Sequence, residues 1–298
     1  MPVRTRVEGA VRLTRFQEYV WFVLVTTLLG AAAGAGSLGL PLVTVLAANW
    51  LAVGFAFMIN DVEDADDDAL NPAKIGRNPV SAGHLPARWA RVLSFLVAGL
   101  AAVLYASLGV WPFASGVACL ALAYLYSVRS VRLKAIPVAD LVSHAFMLAG
   151  LQFLTGYLTF AGGRAWEWVY PVAFVMAISL YGQMFNELRD LEGDRAAGVR
   201  HTAHLLGPRW AHLLMMGWFT IGVISAIGTV FIIRLIPNWV LWTMVGLLAT
   251  GLLRPLLRVR LNASPIDLQT PFQKPIEVAV ALGLAAWFAA PWAMAVLR

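Results

Sequence analysis

The sequence predicts an all-α integral membrane protein, about nine transmembrane helices around a central cavity, with the N-terminus in the cytoplasm. Two features of the chain carry this prediction, and a third orients it. Hydrophobic residues make up 60% of the 298 residues and charged residues only 13%, against about 25% charged in a soluble domain. Too few polar side chains remain to cover a water-facing surface. Apolar runs of roughly the 20 residues that a bilayer-spanning helix needs recur along the whole chain. Basic residues fall between alternate pairs of these runs, which sets the orientation.

The runs lie at roughly 18–36, 38–59, 89–110, 112–128, 138–160, 168–188, 210–233, 236–257 and 276–297. Gly34, Gly36, Ser37, Gly39 and Pro41 make a tight turn between the first two, and Gly109 and Pro112 another between the third and fourth. With the N-terminus inside, nineteen of the 22 Lys and Arg residues lie in cytoplasmic segments, and only Arg164, Arg234 and Arg298 lie outside. That bias also requires an odd number of spans. Arg4, Arg6, Arg12 and Arg15 precede a run of full spanning length, which reads as a retained first helix in the cytoplasmic membrane. The net charge of +6 is spread over these loops, so it marks topology and not nucleic-acid binding. The single cysteine, Cys119, lies in an apolar run and reads as a small buried hydrophobe.

The chain reads as one domain, 1–298, of two weakly repeated halves, about 1–135 and 136–298. Asn60, Asp64 and Asp68 recur as Asn186, Asp190 and Asp194, and Arg88-Trp89-Ala90 recurs as Arg209-Trp210-Ala211. Such repeats place a shared site between the halves.

Six of the sixteen acidic residues lie between Asp61 and Asp68 and four between Glu187 and Asp194. Both clusters end helices that run from outside to inside, so both reach the cytoplasmic face. On a continuous helix Asp61, Asp64 and Asp68 fall within about 60° of one another. Asn186, Asp190 and Asp194 make a second stripe. Crowded carboxylates destabilise a helix, more so at a membrane boundary, and need compensation. An oxygen-only donor set favours a hard cation. Mg²⁺, with Mn²⁺ as a substitute, suits two carboxylate stripes that clamp a diphosphate. The expected metal ligands are Asp61, Asp64, Asp68, Asp190 and Asp194, with Asp64 and Asp190 central to catalysis. Glu63, Asp66 and Asp67 lie off the stripe and read as solvated or as supports behind the metal ligands. Lys74, Arg77, Arg132 and Lys134 share the face and are candidate phosphate contacts. Asp140 and His144, four apart in the fifth span, are candidates to orient or deprotonate an acceptor. Gln183 faces the same cavity. His84, His201, His204 and His212 read as solvated or capping residues.

These motifs resemble the UbiA superfamily of intramembrane prenyltransferases. Asn60-Asp61-Val-Glu-Asp64-Ala-Asp-Asp-Asp68 matches its first motif, and Asp190-Leu-Glu-Gly-Asp194 its second. Tyr126-Ser127 followed by Arg132-Leu-Lys134 resembles a further family feature. One departure is Arg77-Asn78-Pro79, where the family has Asn-Arg-Pro. The resemblance implies nine helices and ionisation of a prenyl diphosphate, with Asn60, Tyr126 and Asn186 in the substrate site. The prenyl chain passes to a lipophilic acceptor, which is an aromatic ring, a quinone precursor, a lipid or another isoprenoid. Two alternatives stand beside it: a terpene cyclase on the same scaffold, and a membrane cation or metabolite transporter.

Overall fold

The computed structural model describes residues 3–70, 74–163, 166–196, 200–258 and 265–296. Of the basic residues used for orientation, Arg164, Arg260 and Arg298 lie outside the described residues, as do the side chains of Arg4, Arg254 and Arg258.

The elements run α1 (Val3–Thr14), α2 (Phe16–Ala33), α3 (Leu40–Glu63), a short α4 (Ala65–Ala69), α5 (Ala87–Ala106) and α6 (Val110–Ser127). A 3₁₀ turn (Leu133–Ala135) leads to α7 (Ala139–Ala145), which continues through a π-helical turn (Phe146–Gly150) into α8 (Leu151–Phe160). Then follow α9 (Val169–Ala196), α10 (Thr202–Ile227) with a second π-helical turn (Gly228–Ile232), α11 (Asn238–Arg258) and α12 (Pro265–Val296).

A helix lies at each run read from the sequence. Among the described residues seven spans, counting α1–α2 as one and α7–α8 as one, are long and apolar enough to cross a membrane. α9 and α11 are the remaining long helices. Two features were not legible. α1 is a separate helix, split from α2 at Arg15, whose φ of 48° is left-handed. α10 starts well before residue 210 and is kinked at Gly207, where φ is 77°, ahead of Pro208. Proline cannot continue the hydrogen-bond ladder of a helix, so a kink falls there.

Close packing of small residues holds the bundle together, as is usual where no water drives helices together. α2 lies so close to α8 that a Cβ at Gly156 would sit 2.6 Å from the Thr27 carbonyl oxygen. Beneath the cavity, Asn49 ties four helices. Its Nδ2 donates to Thr27 Oγ1 (2.7 Å) and the Gln152 carbonyl (3.0 Å), and its Oδ1 accepts from Tyr105 (2.6 Å) and Thr155 (2.8 Å). That uses the amide's full hydrogen-bonding capacity in an apolar interior, where an unmet group is costly. In the π-helical turn the Met147 carbonyl accepts from Cys119 Sγ (3.2 Å) and Gln152 Nε2 (3.4 Å).

Candidate active site

A cavity of about 830 Å³ opens between the ends of α3 and α9. Its floor is apolar, with Phe22, Val23, Val53, Met147, Leu148 and Ile178, and its mouth is charged, with Asp64, Asp68, Asp190, Asp194, Lys74 and Arg77. α9 runs unbroken to Ala196, so the spacing of Asn186, Asp190 and Asp194 places all three on the cavity wall.

The first motif is arranged differently from the expected single stripe. α3 ends at Glu63, and Asp64 stands at the break before α4 (φ −91°, ψ 0°). The break separates Asp61 from its two partners. Asp64 and Asp68 line the cavity. Asp61 is 2% exposed, and its Oδ1 accepts from Arg15 Nη1 at 3.1 Å. The structure therefore does not bring Asp61 to the cavity wall. Of the two readings for Glu63, the structure excludes solvation: it is buried, paired with Arg91 at 3.0 Å, and its Oε2 accepts the Arg129 backbone N–H. Asp67 lines the cavity and meets Arg132 at 2.7 Å, while Asp66 is exposed.

Each carboxylate at the mouth has a charged or polar donor of the same chain. Lys134 Nζ donates to Asn60 Oδ1 (2.8 Å) and Asp64 Oδ2 (2.5 Å), and Arg132 reaches Asp64 at 3.3 Å. Lys74 meets Asp194 at 3.3 Å, and Arg189 forks onto Asp190 with two bonds of 2.9 Å. Arg77 is turned to Glu18 at 2.5 Å. Burial pushes the Lys134 ammonium down, with Asp64 opposing. For Lys74 burial also opposes the charge, but Asp194 outweighs it and the net shift is upward. Asn78 pins the loop: its Nδ2 donates to the Asp61 carbonyl (2.8 Å) and to Asp68 Oδ2 (2.9 Å). Asn78, and not the expected Arg77 beside it, contacts the first acidic motif.

On the opposite wall, His144 Nδ1 stands 3.3 Å from Ser179 Oγ, and Gln183 Nε2 donates to Tyr126 OH (3.3 Å) and Glu187 Oε1 (3.1 Å). His144, Gln183 and Tyr126 line the cavity. Asp140 does not join His144 there. Fully buried, it accepts from Thr202 N and Oγ1 (2.5 Å each) and Leu141 N (2.7 Å), so it clamps α7 to the start of α10. His201, read as solvated or capping, is 2% exposed between Glu187 and Asp194. Burial opposes its charge, but those two carboxylates outweigh it and raise its pKa to about 9. No local sequence signal marks this histidine, because its partners come from another helix.

Asp140, Glu187 and His201 bring possible metal-ligand atoms within 4.8 Å of one another. Their carboxylate oxygens already accept the Leu141, Thr202 and Ala203 backbone N–H groups. Carboxylates at a helix N-terminus satisfy its unpaired donors and its dipole, so the trio reads as a helix clamp. Among the carboxylates that line the cavity, the four motif aspartates Asp64, Asp68, Asp190 and Asp194 are a set that fits a hard cation.

Fold and site together define an all-helical membrane protein with paired acidic helix ends over an apolar-floored cavity. The chain belongs to the UbiA prenyltransferase family, whose model matches residues 20–271. It is 29% identical over 201 residues to the bacteriochlorophyll synthase 33 kDa chain of Cereibacter sphaeroides, covering 67% of this chain and 64% of that protein. It is 32% identical over 215 residues to the lycopene elongase/hydratase of Haloarcula japonica, covering 69% of each. Its fold is that of a UbiA homologue from Aeropyrum pernix K1 (TM-score 0.70, 19% identity, 90% of this chain and 98% of that one). It is also that of an Archaeoglobus fulgidus homologue solved with GPP and Mg²⁺ (TM-score 0.68, 22% identity, 93% and 98%).

Proposed function

We propose that this protein is a Mg²⁺-dependent intramembrane prenyltransferase that ionises a prenyl diphosphate and passes the prenyl chain to a lipophilic acceptor. The observation that carries the reading is one cavity with four motif carboxylates at its mouth and an apolar floor. The relatives support it: one is named a bacteriochlorophyll synthase, and one homologous structure holds GPP and Mg²⁺. Family membership leaves the transporter alternative without support. The single domain crosses the cytoplasmic membrane nine times, with its N-terminus and the cavity mouth on the cytoplasmic side.

Asp64, Asp68, Asp190 and Asp194 would hold Mg²⁺, or Mn²⁺ in its place. Bound there, the ion neutralises charge that builds on the leaving diphosphate. Lys134, Arg132, Lys74 and Arg77 release their carboxylate partners to contact phosphate oxygens, and Asn60 and Asn186 orient the headgroup. The prenyl C1–O bond breaks, its electron pair stays with pyrophosphate, and the apolar floor excludes the water that would quench the allylic cation. The acceptor bonds to C1 and gives up one proton to the His144 ring. His144, anchored by Ser179, and Gln183 with Tyr126 position that acceptor. Asp61 supports the site from behind through Arg15, and Asp140 through α10.

The test is release of pyrophosphate by purified protein supplied with a prenyl diphosphate. We expect slow hydrolysis alone and rapid turnover with Mg²⁺ and a lipophilic aromatic acceptor. Efficient formation of a cyclic terpene from the diphosphate alone would replace this reading with the cyclase.

A further inference from the structure

His201 immediately precedes α10, with extended backbone (φ −121°, ψ −179°). Its ring joins two carboxylates that lie two turns apart on α9. Nδ1 stands 3.2 Å from Glu187 Oε2, and Nε2 stands 3.4 Å from Asp194 Oδ2. The Glu187 end is fixed: its Oε2 accepts the Ala203 N–H at 3.0 Å and its Oε1 accepts from Gln183 at 3.1 Å. The ring itself is held by His204, 4.0 Å away between centroids, which is anchored in turn at 2.9 Å to the Leu191 carbonyl. At the Asp194 end the other side-chain partner is the half-exposed Lys74, 3.3 Å away. α9 stops at Ala196, so Asp194 sits in a last turn, where helices fray.

We propose that His201 is the positioning residue of the second acidic motif, bridging Asp194 to Glu187 so that the carboxylate stays aimed into the cavity. The ion pairs of His201 meet, at Glu187, a hydrogen-bond chain that runs through Gln183 to Tyr126, so the wall that meets the acceptor and the wall that meets the metal share one frame. The proposal rests on reading the cavity as a Mg²⁺–diphosphate site. Groups that orient a metal ligand typically matter about 10–100-fold in metal affinity.

The experiment is a Mn²⁺ titration followed by electron paramagnetic resonance, on detergent-purified full-length protein with inorganic pyrophosphate present. Half-saturating Mg²⁺ in turnover is measured in parallel. His201→Leu should weaken Mn²⁺ binding and raise half-saturating Mg²⁺ by about 10–100-fold, with turnover recovering at high Mg²⁺. His201→Gln, whose amide donates to both carboxylates, should restore most of the affinity. His201→Asn, too short to span them, should resemble His201→Leu, and it stands in if His201→Leu does not fold. Gly156→Ala crowds α2 against α8, where the added methyl would sit 2.6 Å from the Thr27 carbonyl oxygen, so it reports a merely structural loosening. It should lower the melting temperature and leave metal affinity in place. Wild-type protein that fails to bind Mn²⁺ with pyrophosphate would overturn the reading of the cavity. Wild-type binding with unchanged affinity in His201→Leu or His201→Asn would overturn the role of His201 alone.

Discussion

Replacing Lys134 with Met should slow turnover and tighten Mg²⁺ binding in the same protein. The Lys134 ammonium, on a side chain only 14% exposed, donates to Asn60 Oδ1 at 2.8 Å and Asp64 Oδ2 at 2.5 Å. A cation that binds Asp64 must displace it. Two unit charges about 4 Å apart attract by about 4 kcal/mol at an effective dielectric near 20. Desolvation opposes most of that, and Arg132, 3.3 Å from Asp64, still neutralises the carboxylate. A net competition of about 1–2 kcal/mol remains, which corresponds to roughly 5–30-fold tighter Mg²⁺ binding in the variant without donor. With donor bound, the ammonium faces the leaving oxygens, and loss of one preorganised donor to developing charge costs about 10²–10³ in kcat. Met keeps the volume, so packing should survive. Calorimetric Mg²⁺ titration and a pyrophosphate-release assay on detergent-purified protein measure the two effects. Both quantities within about threefold of wild type, under 1 kcal/mol, would refute the reasoning.

Asp64→Asn and Asp190→Asn should each reduce turnover to background, and EDTA should do the same to wild type until Mg²⁺ is restored; substantial turnover by the double variant would contradict a two-sided clamp. His144→Ala should lower kcat/KM for the acceptor by about 10²-fold or more if the ring moves the proton, with donor KM unchanged in the same kinetic series. Gly156→Ala places a methyl 2.6 Å from the Thr27 carbonyl oxygen. Overpacking of about 1–3 kcal/mol should exceed the helix-propensity gain of about 1 kcal/mol, so the melting temperature should fall; a rise would show that α2 and α8 can separate cheaply.

The second acidic motif was legible because α9 is uninterrupted, and a spacing of four on an intact helix is a statement about one face. The first was legible only in part. Nothing in Asp61–Asp68 is a Gly or Pro, so the break at Asp64 has no local sequence sign. It is fixed from elsewhere, by Lys134 and Arg132 on Asp64 and by Asn78 on Asp68. Asp140 and His144 looked like a pair for the same reason that Asp190 and Asp194 did. Here Thr202, 62 positions away, takes Asp140 instead. His201 reads as solvated or capping in the sequence because the carboxylates it joins lie on α9, whereas it stands just ahead of α10. Residue type and helical spacing report what one helix offers. Which neighbour accepts the offer is decided by packing between helices, as with Arg15 drawing Asp61 away from the cavity.

The π-helical turn at Phe146–Gly150 gives the cavity one wall that can be re-indexed. A π turn carries one residue more than the α-helix around it. Deleting a single position there would let α7 and α8 fuse into a regular helix and rotate everything before the turn by about 100°. His144 would swing off the cavity while Gln152 and Thr155, beyond the turn, kept their bonds to Asn49. The acidic ends of α3 and α9 would stay where they are. The aim of His144 thus depends on the register of this one turn, and a one-codon insertion or deletion there would re-aim it without a new side chain at the acidic ends of α3 and α9.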